Sequence, residues 1–220
     1  PAPKAGEVLV RVKAAGVNPV DGAVRAGHYK LLGEPPFILG WDISGTVEAL
    51  GAGVSGFRIG DEVFGMPRFP KQAAAYAELA AVPADEIVLK PKGAGHLEAG
   101  ALPLAGLTAW QGLVRHGGLK SGQRVLIHAA AGGVGHLAVQ IAKALGAVGV
   151  ANASPAKLDF VRKVETRFRS DNIVVINTGG SMAQSARETL VADLRRDPRL
   201  LAVAASGDVP LSQSSTIAQV

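Results

Sequence analysis

The chemistry of this 220-residue chain is densest in the stretch VLIHAAAGGVGHLAVQIAKALGA, residues 125–147. An apolar run enters a cluster of small residues that includes Gly132, Gly133 and Gly135, and a run with helical spacing leaves it. Backbone N–H groups at a helix N-terminus, uncovered by side chains, attract phosphate. The phase Ala130, Gly132, Gly135 reads A-x-G-x-x-G, one glycine short of the dinucleotide fingerprint G-x-G-x-x-G. Gly132 would let the backbone approach a pyrophosphate, and Gly135 would let the helix pack close to its strand. Ala130 suffices at the first place only if its φ is negative. Ala131, Gly132, Gly133, Val134 and Gly135 are therefore candidate phosphate contacts. The same glycines would also serve a tight strand-to-helix connection that binds nothing.

The elements around the turn decide between these readings. SGQRVLIHAA reads as a turn and a buried strand, and AVGVANAS as a second strand. Between them Val134, Leu137, Ala138, Ile141, Ala142 and Leu145 share one helical face. Strand, glycine turn, helix and strand make a βαβ unit, the start of a parallel sheet. A cofactor lacking a 2′-phosphate usually meets an acidic side chain at the end of the second strand. Here Asn152, Ala153 and Ser154 stand there, with Lys157 one turn on. A hydroxyl and an ammonium can hold a phosphate where no carboxylate repels it, which favours NADPH over NADH. Ser154-Pro155 also reads as a helix cap with Pro in the first position, and the two roles are compatible.

Towards the N-terminus, GEVLVRVKAAGVN alternates, with Val8, Val10 and Val12 on one side of a half-buried strand. Residues 18–36 read as a Gly- and Pro-rich loop, and the following short β-prone pieces suggest a mostly β region up to about residue 92. HLEAGALPLAGLTAWQGLVRHGGLK reads as two helical pieces broken at Pro103. Near the end, DNIVVINTGG reads as a strand, and SARETLVADLRRDPRLLAVAAS as helical with a break at Pro198.

Composition narrows the classes. Hydrophobic residues make up 48% of the chain, enough for a sizeable core, and no apolar run reaches the roughly 18 residues of a membrane helix. The first residues lack the apolar core of a signal peptide. With no cysteine, disulfides and thiolate metal sites are excluded, and a cytoplasmic location fits best. The net charge of +5 comes from scattered Lys and Arg, a solvated basic surface rather than a nucleic-acid stripe. His28, His96, His116, His128 and His136 lie on different elements without ligand spacing, so no metal site is expected.

Four segments in order, AAGVNPVDGAVRAGHY, LGWDISGTVEALGAGVSGFRIGDEVFG, LPLAGLTAWQGL and the glycine stretch, resemble the zinc-independent quinone oxidoreductases of the medium-chain dehydrogenase/reductase superfamily. The resemblance runs from about Gly6 to Arg162. It implies an α/β protein with a GroES-like β-rich catalytic domain (1–95) and a Rossmann-type, parallel-sheet cofactor domain (96–200) that is shortened here. The active site would lie in the cleft between them, and residues 201–220 would return to the catalytic domain. Where zinc-dependent relatives carry Cys and His-Glu, this chain has Asn18 and Trp41-Asp42. Without a Lewis acid, a quinone or α,β-unsaturated carbonyl suits the site better than an isolated carbonyl, because conjugation spreads the arriving charge.

Residue roles follow from the same resemblance. Asn18 matches the Asn near the nicotinamide, Asp21 the loop-ordering Asp of NPVD, and Thr108 the Thr that helps hold the nicotinamide or its ribose. The place of a frequent active-site Tyr holds Ala23, which leaves Tyr29 as the fallback proton donor. A deletion of a few residues would put Phe168-Arg169 where relatives have Tyr-Arg, making Arg169 a 2′-phosphate partner. The expected activity is hydride transfer from NADPH to a small-molecule quinone or enone, without nucleic-acid or membrane partners. Homodimers are common in such reductases. A non-catalytic NADPH-binding or structural protein, or an inactive fragment, is the alternative.

Overall fold

The computed structural model describes residues 1–166, 173–177 and 200–203, the last residues of this set by backbone alone. Two compact units result, Pro1–Leu104 and Ala105 onward. The sequence pattern changes slightly earlier, near His96.

The first unit is built on a five-stranded antiparallel sheet. Its strands are β1 (Glu7–Ala15), β2 (Ile43–Leu50), β3 (Glu62–Gly65), β4 (Leu79–Pro83) and β5 (Ile87–Leu89), in the order β4-β1-β2-β3-β5. The alternation read in β1 is present: Val8 and Val10 are fully buried, and Val12 packs at the edge of the same cluster. Ile43, Val47, Val63, Val82 and Ile87 complete that core. Each such side chain contributes about 1.5–3 kcal/mol when removed from water.

One expectation fails here. Within the segment read as a loop, Pro19–Arg25 forms helix α1. Its start is written in NPVD: Asn18 caps, Pro19 takes the first helical position, and Asp21 sits third. The Asp21 carboxylate reaches back to accept the Asn18 backbone N–H at 2.7 Å.

Helix α2 (His96–Ala101) packs on β1 and β2. A Cβ at Gly16 would lie 2.5 Å from the Gly100 oxygen and 2.8 Å from the Asp42 Cβ, so only glycine lets these three segments converge. Helix α3 (Pro103–Trp110) starts at the expected break and continues through π-helical turns over Gln111–His116.

The second unit holds a parallel sheet of β6 (Arg124–Ile127), β7 (Val148–Ala153), β8 (Ile173–Asn177) and β9 (Leu200–Val203), in the order β8-β7-β6-β9. Helix α4 (Gly133–Ala144) connects β6 to β7, and α5 (Leu158–Thr166) follows β7. Val125, Leu126 and Ile127 are all buried, as expected of a strand covered on both faces. Ala138 and Ala142 of the expected helix face are buried with Val139, while Val134, Leu137, Ile141 and Leu145 pack around the same cluster.

The helical reading of the last segment is corrected at β9, where Leu200–Val203 pairs with β6. The free edge of β6 offers hydrogen bonds that override local propensity. The return to the first unit expected over 201–220 begins within β9, and its remainder, 204–220, lies outside the described residues. Among the described residues, no helix is long and apolar enough to cross a membrane.

Candidate functional site

The sheet order places the glycine stretch where a ligand belongs. From β6 the chain moves to β7 and β8 on one side, and β9 lies on the other. The turn after β6 therefore stands at the point where strand order reverses, outside the carboxyl ends of parallel strands. Gly132 is the N-cap of α4, with extended backbone and no side-chain cap. Its own N–H goes to the Ala129 oxygen at 2.8 Å, and the first intrahelical bond of the turn is His136 N–H to the Gly132 oxygen. The N–H groups of Gly133, Val134 and Gly135 precede it, and helix geometry gives them no acceptor within α4.

The glycines divide this work differently from the sequence expectation. A Cβ at Gly133 would meet nothing within 4 Å, so the open approach lies there. At Gly132 it would stand 3.2 Å from the Ala129 oxygen. At Gly135 it would collide with that oxygen and lie 2.8 Å from the Ala130 Cα, as expected of the close-packing glycine. The left-handed residue of the turn is not Ala130 but Ala129, at φ 50°. Such a conformation costs a non-glycine residue about 1–2 kcal/mol. Asn152 holds it: its Oδ1 accepts the Ala129 N–H at 3.0 Å and its backbone oxygen accepts the Ala130 N–H at 2.9 Å. The Asn152 Nδ2 meets His128 Nδ1 at 2.9 Å. Nothing in the sequence around Asn152 beyond the absence of a carboxylate signals this role.

Beyond β7, Ser154 and Lys157 are exposed around a short 3-10 turn, Pro155–Lys157. Ser154 makes no side-chain cap bond, so its hydroxyl is not consumed by the turn it precedes. His136 is a packing residue: Nδ1 lies 2.9 Å from the Gly132 oxygen and the ring meets Phe160 edge-on at 6.0 Å. Thr108 is exposed on α3 beside Leu107 and Trp110. Arg169 and Phe168 lie outside the described residues.

In the first unit a second group assembles around Asn18. Asp42 is fully buried, and two donors converge on its carboxylate. Asn18 Nδ2 donates to Oδ2 at 2.9 Å, and the Leu104 N–H to Oδ1 at 3.0 Å and Oδ2 at 3.2 Å. The Asp42 backbone oxygen also accepts the Gly16 N–H at 3.1 Å. Burial pushes the Asp42 carboxyl up to about 6, against the opposing effect of those two donors. Asp21 is also buried, and its Oδ1 has no hydrogen-bond partner among the described residues. The Tyr76 hydroxyl donates to the Gly16 oxygen at 3.3 Å. Burial, then Asp21 and Asp42, raise that phenol above the ordinary tyrosine range.

Of the residues expected here, Asn18 and Asp21 come together, while the described contacts of this group do not include Tyr29. Nothing local in GWD or YAEL signals that Asp42 and Tyr76 both bond Gly16 and so join this group. A Ser44–His96–Glu62 line also exists, at 2.8 and 3.0 Å. Ser44 is fully buried and also contacts the Val63 oxygen, so this line ties α2 to the sheet and offers no nucleophile. Among the described residues no three His, Asp or Glu side chains are grouped to hold a metal ion.

Residues 4–92 match the alcohol dehydrogenase GroES-like domain. A 2-methylene-furan-3-one reductase from Solanum lycopersicum is 40% identical over 169 residues, 73% of this chain and 43% of its own length. An alcohol dehydrogenase superfamily protein from Novosphingobium aromaticivorans superposes with a TM-score of 0.76 at 32% identity, over 99% of this chain and 71% of the other. The Escherichia coli quinone oxidoreductase solved with NADPH gives a TM-score of 0.69 at 31% identity, over 88% and 56%. The chain spans about half the length of the curated relatives it matches.

Proposed function

Because this chain belongs to the quinone oxidoreductase branch of the medium-chain dehydrogenase/reductase superfamily, we propose that it is an NADPH-dependent reductase of quinones or α,β-unsaturated carbonyls that works without zinc. The observation that carries the reading is the turn at Ala131, Gly132, Gly133, Val134 and Gly135, whose first-turn N–H groups have no acceptor within α4 and which has open space beside Gly133 at a strand-order reversal. The end of β7 fits a 2′-phosphate: Ser154 and Lys157 are exposed, and no carboxylate stands among residues 148–157. When bound, NADPH supplies a hydride to the conjugated acceptor.

The chain's own groups then have three tasks. The α4 N-terminus and Ser154 with Lys157 hold the two phosphate regions, and Thr108 contacts the nicotinamide ribose or carboxamide. Asn18 offers a hydrogen bond to the oxygen on which charge accumulates, and Asp21 keeps the Asn18 loop in place through the Asn18 N–H. Tyr29 is the proposed proton source. The absence of zinc chemistry is supported by the residues at the ligand places, Asn18 and Trp41-Asp42, with the Trp41 indole engaged by the Lys71 oxygen at 2.7 Å.

Mixing the protein with NADPH and a panel of quinones and enones tests the reading through absorbance at 340 nm. Loss of absorbance that depends on acceptor supports it. Tight NADPH binding without turnover on any acceptor would give a non-catalytic binding protein instead.

A further inference from the structure

We propose that Asp42 is the positioning residue that fixes the Asn18 carboxamide with its nitrogen turned inward, leaving Asn18 to meet the ligand only as a hydrogen-bond donor. The proposal rests on the functional reading above and gives it a polarity. A primary amide can present either its oxygen or its N–H groups, and the two ends differ little in shape. What distinguishes them here is a buried partner that, once ionised, only accepts. The Asp42 carboxylate has no exposure and takes one N–H of Asn18 Nδ2 at 2.9 Å. Turning the amide over would set its oxygen against a carboxylate oxygen, with no proton between them. Half-buried Asn18 retains one further N–H on the same nitrogen. A donor matches an acceptor oxygen that gains negative charge during reduction.

Two further features show that the carboxylate is itself held. The Leu104 N–H at the start of α3 reaches both its oxygens, and Gly16 packs where no larger residue fits. The opposite end of Asn18 is anchored by Asp21, whose carboxylate accepts its backbone N–H. The titratable groups facing Asp42 are Asp21 from α1 and Tyr76 from the loop before β4. Neither is a cation, so Asp42 satisfies itself on donors that are neutral.

Two donors on one carboxylate make a discriminating substitution available. In D42N a single acceptor oxygen must serve both Leu104 and Asn18, so an amide N–H₂ confronts one of them. In N18D two carboxylates confront each other. The double variant D42N/N18D restores a donor–acceptor pair with its direction reversed. The thermal midpoint of the double variant should therefore fall by less than the sum of the two single falls. Its kcat/KM should stay low, roughly tenfold or more below wild type, because the donor toward the ligand is gone. The fall should appear in kcat, with the KM for NADPH changed less than about threefold, since the second unit holds the phosphates.

Recovery of kcat in the double variant would reduce Asp42 to a structural residue and overturn the proposal. So would strictly additive midpoints, which would mean that residues 18 and 42 do not couple. If the wild type fails to turn over any acceptor, the reductase reading falls. The midpoint cycle, with the Asn18 side-chain amide resonances of wild type and D42N, then decides whether Asp42 holds the amide. Unchanged resonances in D42N would overturn it.

Discussion

Asp42 carries its charge in a place that resists charge, and this has a thermodynamic signature. Its folded pKa of about 6 lies above the ordinary aspartate value near 3.8. Between those values the folded chain keeps a proton that the unfolded chain releases. Raising pH through this window therefore favours the unfolded state, the reverse of a salt-bridged carboxylate. Relative to D42N, the wild type should lose stability on the order of 3 kcal/mol between about pH 3 and pH 7, then level off. Urea titrations of both proteins at several pH values measure the difference, and parallel curves would refute it. At this scale the sequence was legible where a residue's role is local. NPVD announces its own cap, Pro and returning carboxylate. Asp42, Tyr76 and Asn152 act on residues brought to them by the fold, so no spacing in the sequence exposes them.

The strand–turn–helix at Ile127–Gly135 separates what a glycine does for the backbone from what it leaves open. Gly135→Ala should lower the thermal midpoint, costing about 1–3 kcal/mol, because its Cβ runs into the Ala129 oxygen and the Ala130 Cα. Gly133→Ala meets nothing, and a helical alanine there should hold or raise the midpoint by up to about 1 kcal/mol. It should nevertheless weaken NADPH binding, since its methyl occupies the approach to the first-turn N–H groups. Calorimetry of unfolding and a fluorescence titration with NADPH separate the two effects. Undiminished binding by Gly133→Ala would move the phosphate elsewhere. The βαβ unit could be read in advance because apolar period and glycine position agree. The seven-residue α1 is masked in the sequence by the glycines and prolines of the surrounding segment 18–36, and the strand character of β9 comes from the open edge of β6, not from its own residues.

Among the described residues, the two cores have none in common: one gathers on β1–β5, the other around β6, α4 and β7. The segment 1–104, produced alone, should therefore unfold in one cooperative thermal transition. A featureless melt would show that it depends on the rest of the chain. That two units of these classes exist was legible from the switch of hydrophobic period. Where one gives way to the other was less so, because Leu104 is tied to Asp42 by the fold and not by its neighbours in sequence. The order β8-β7-β6-β9 has a consequence for synthesis on the ribosome. The antiparallel sheet of the first unit is complete once Leu89 has emerged, and its capping contact once Leu104 has. Strand β6, by contrast, can recruit β7 early but must keep its other edge unpaired until Leu200 is made. During that interval a nascent chain exposes a buried-type apolar strand edge, the kind of surface on which chaperones act.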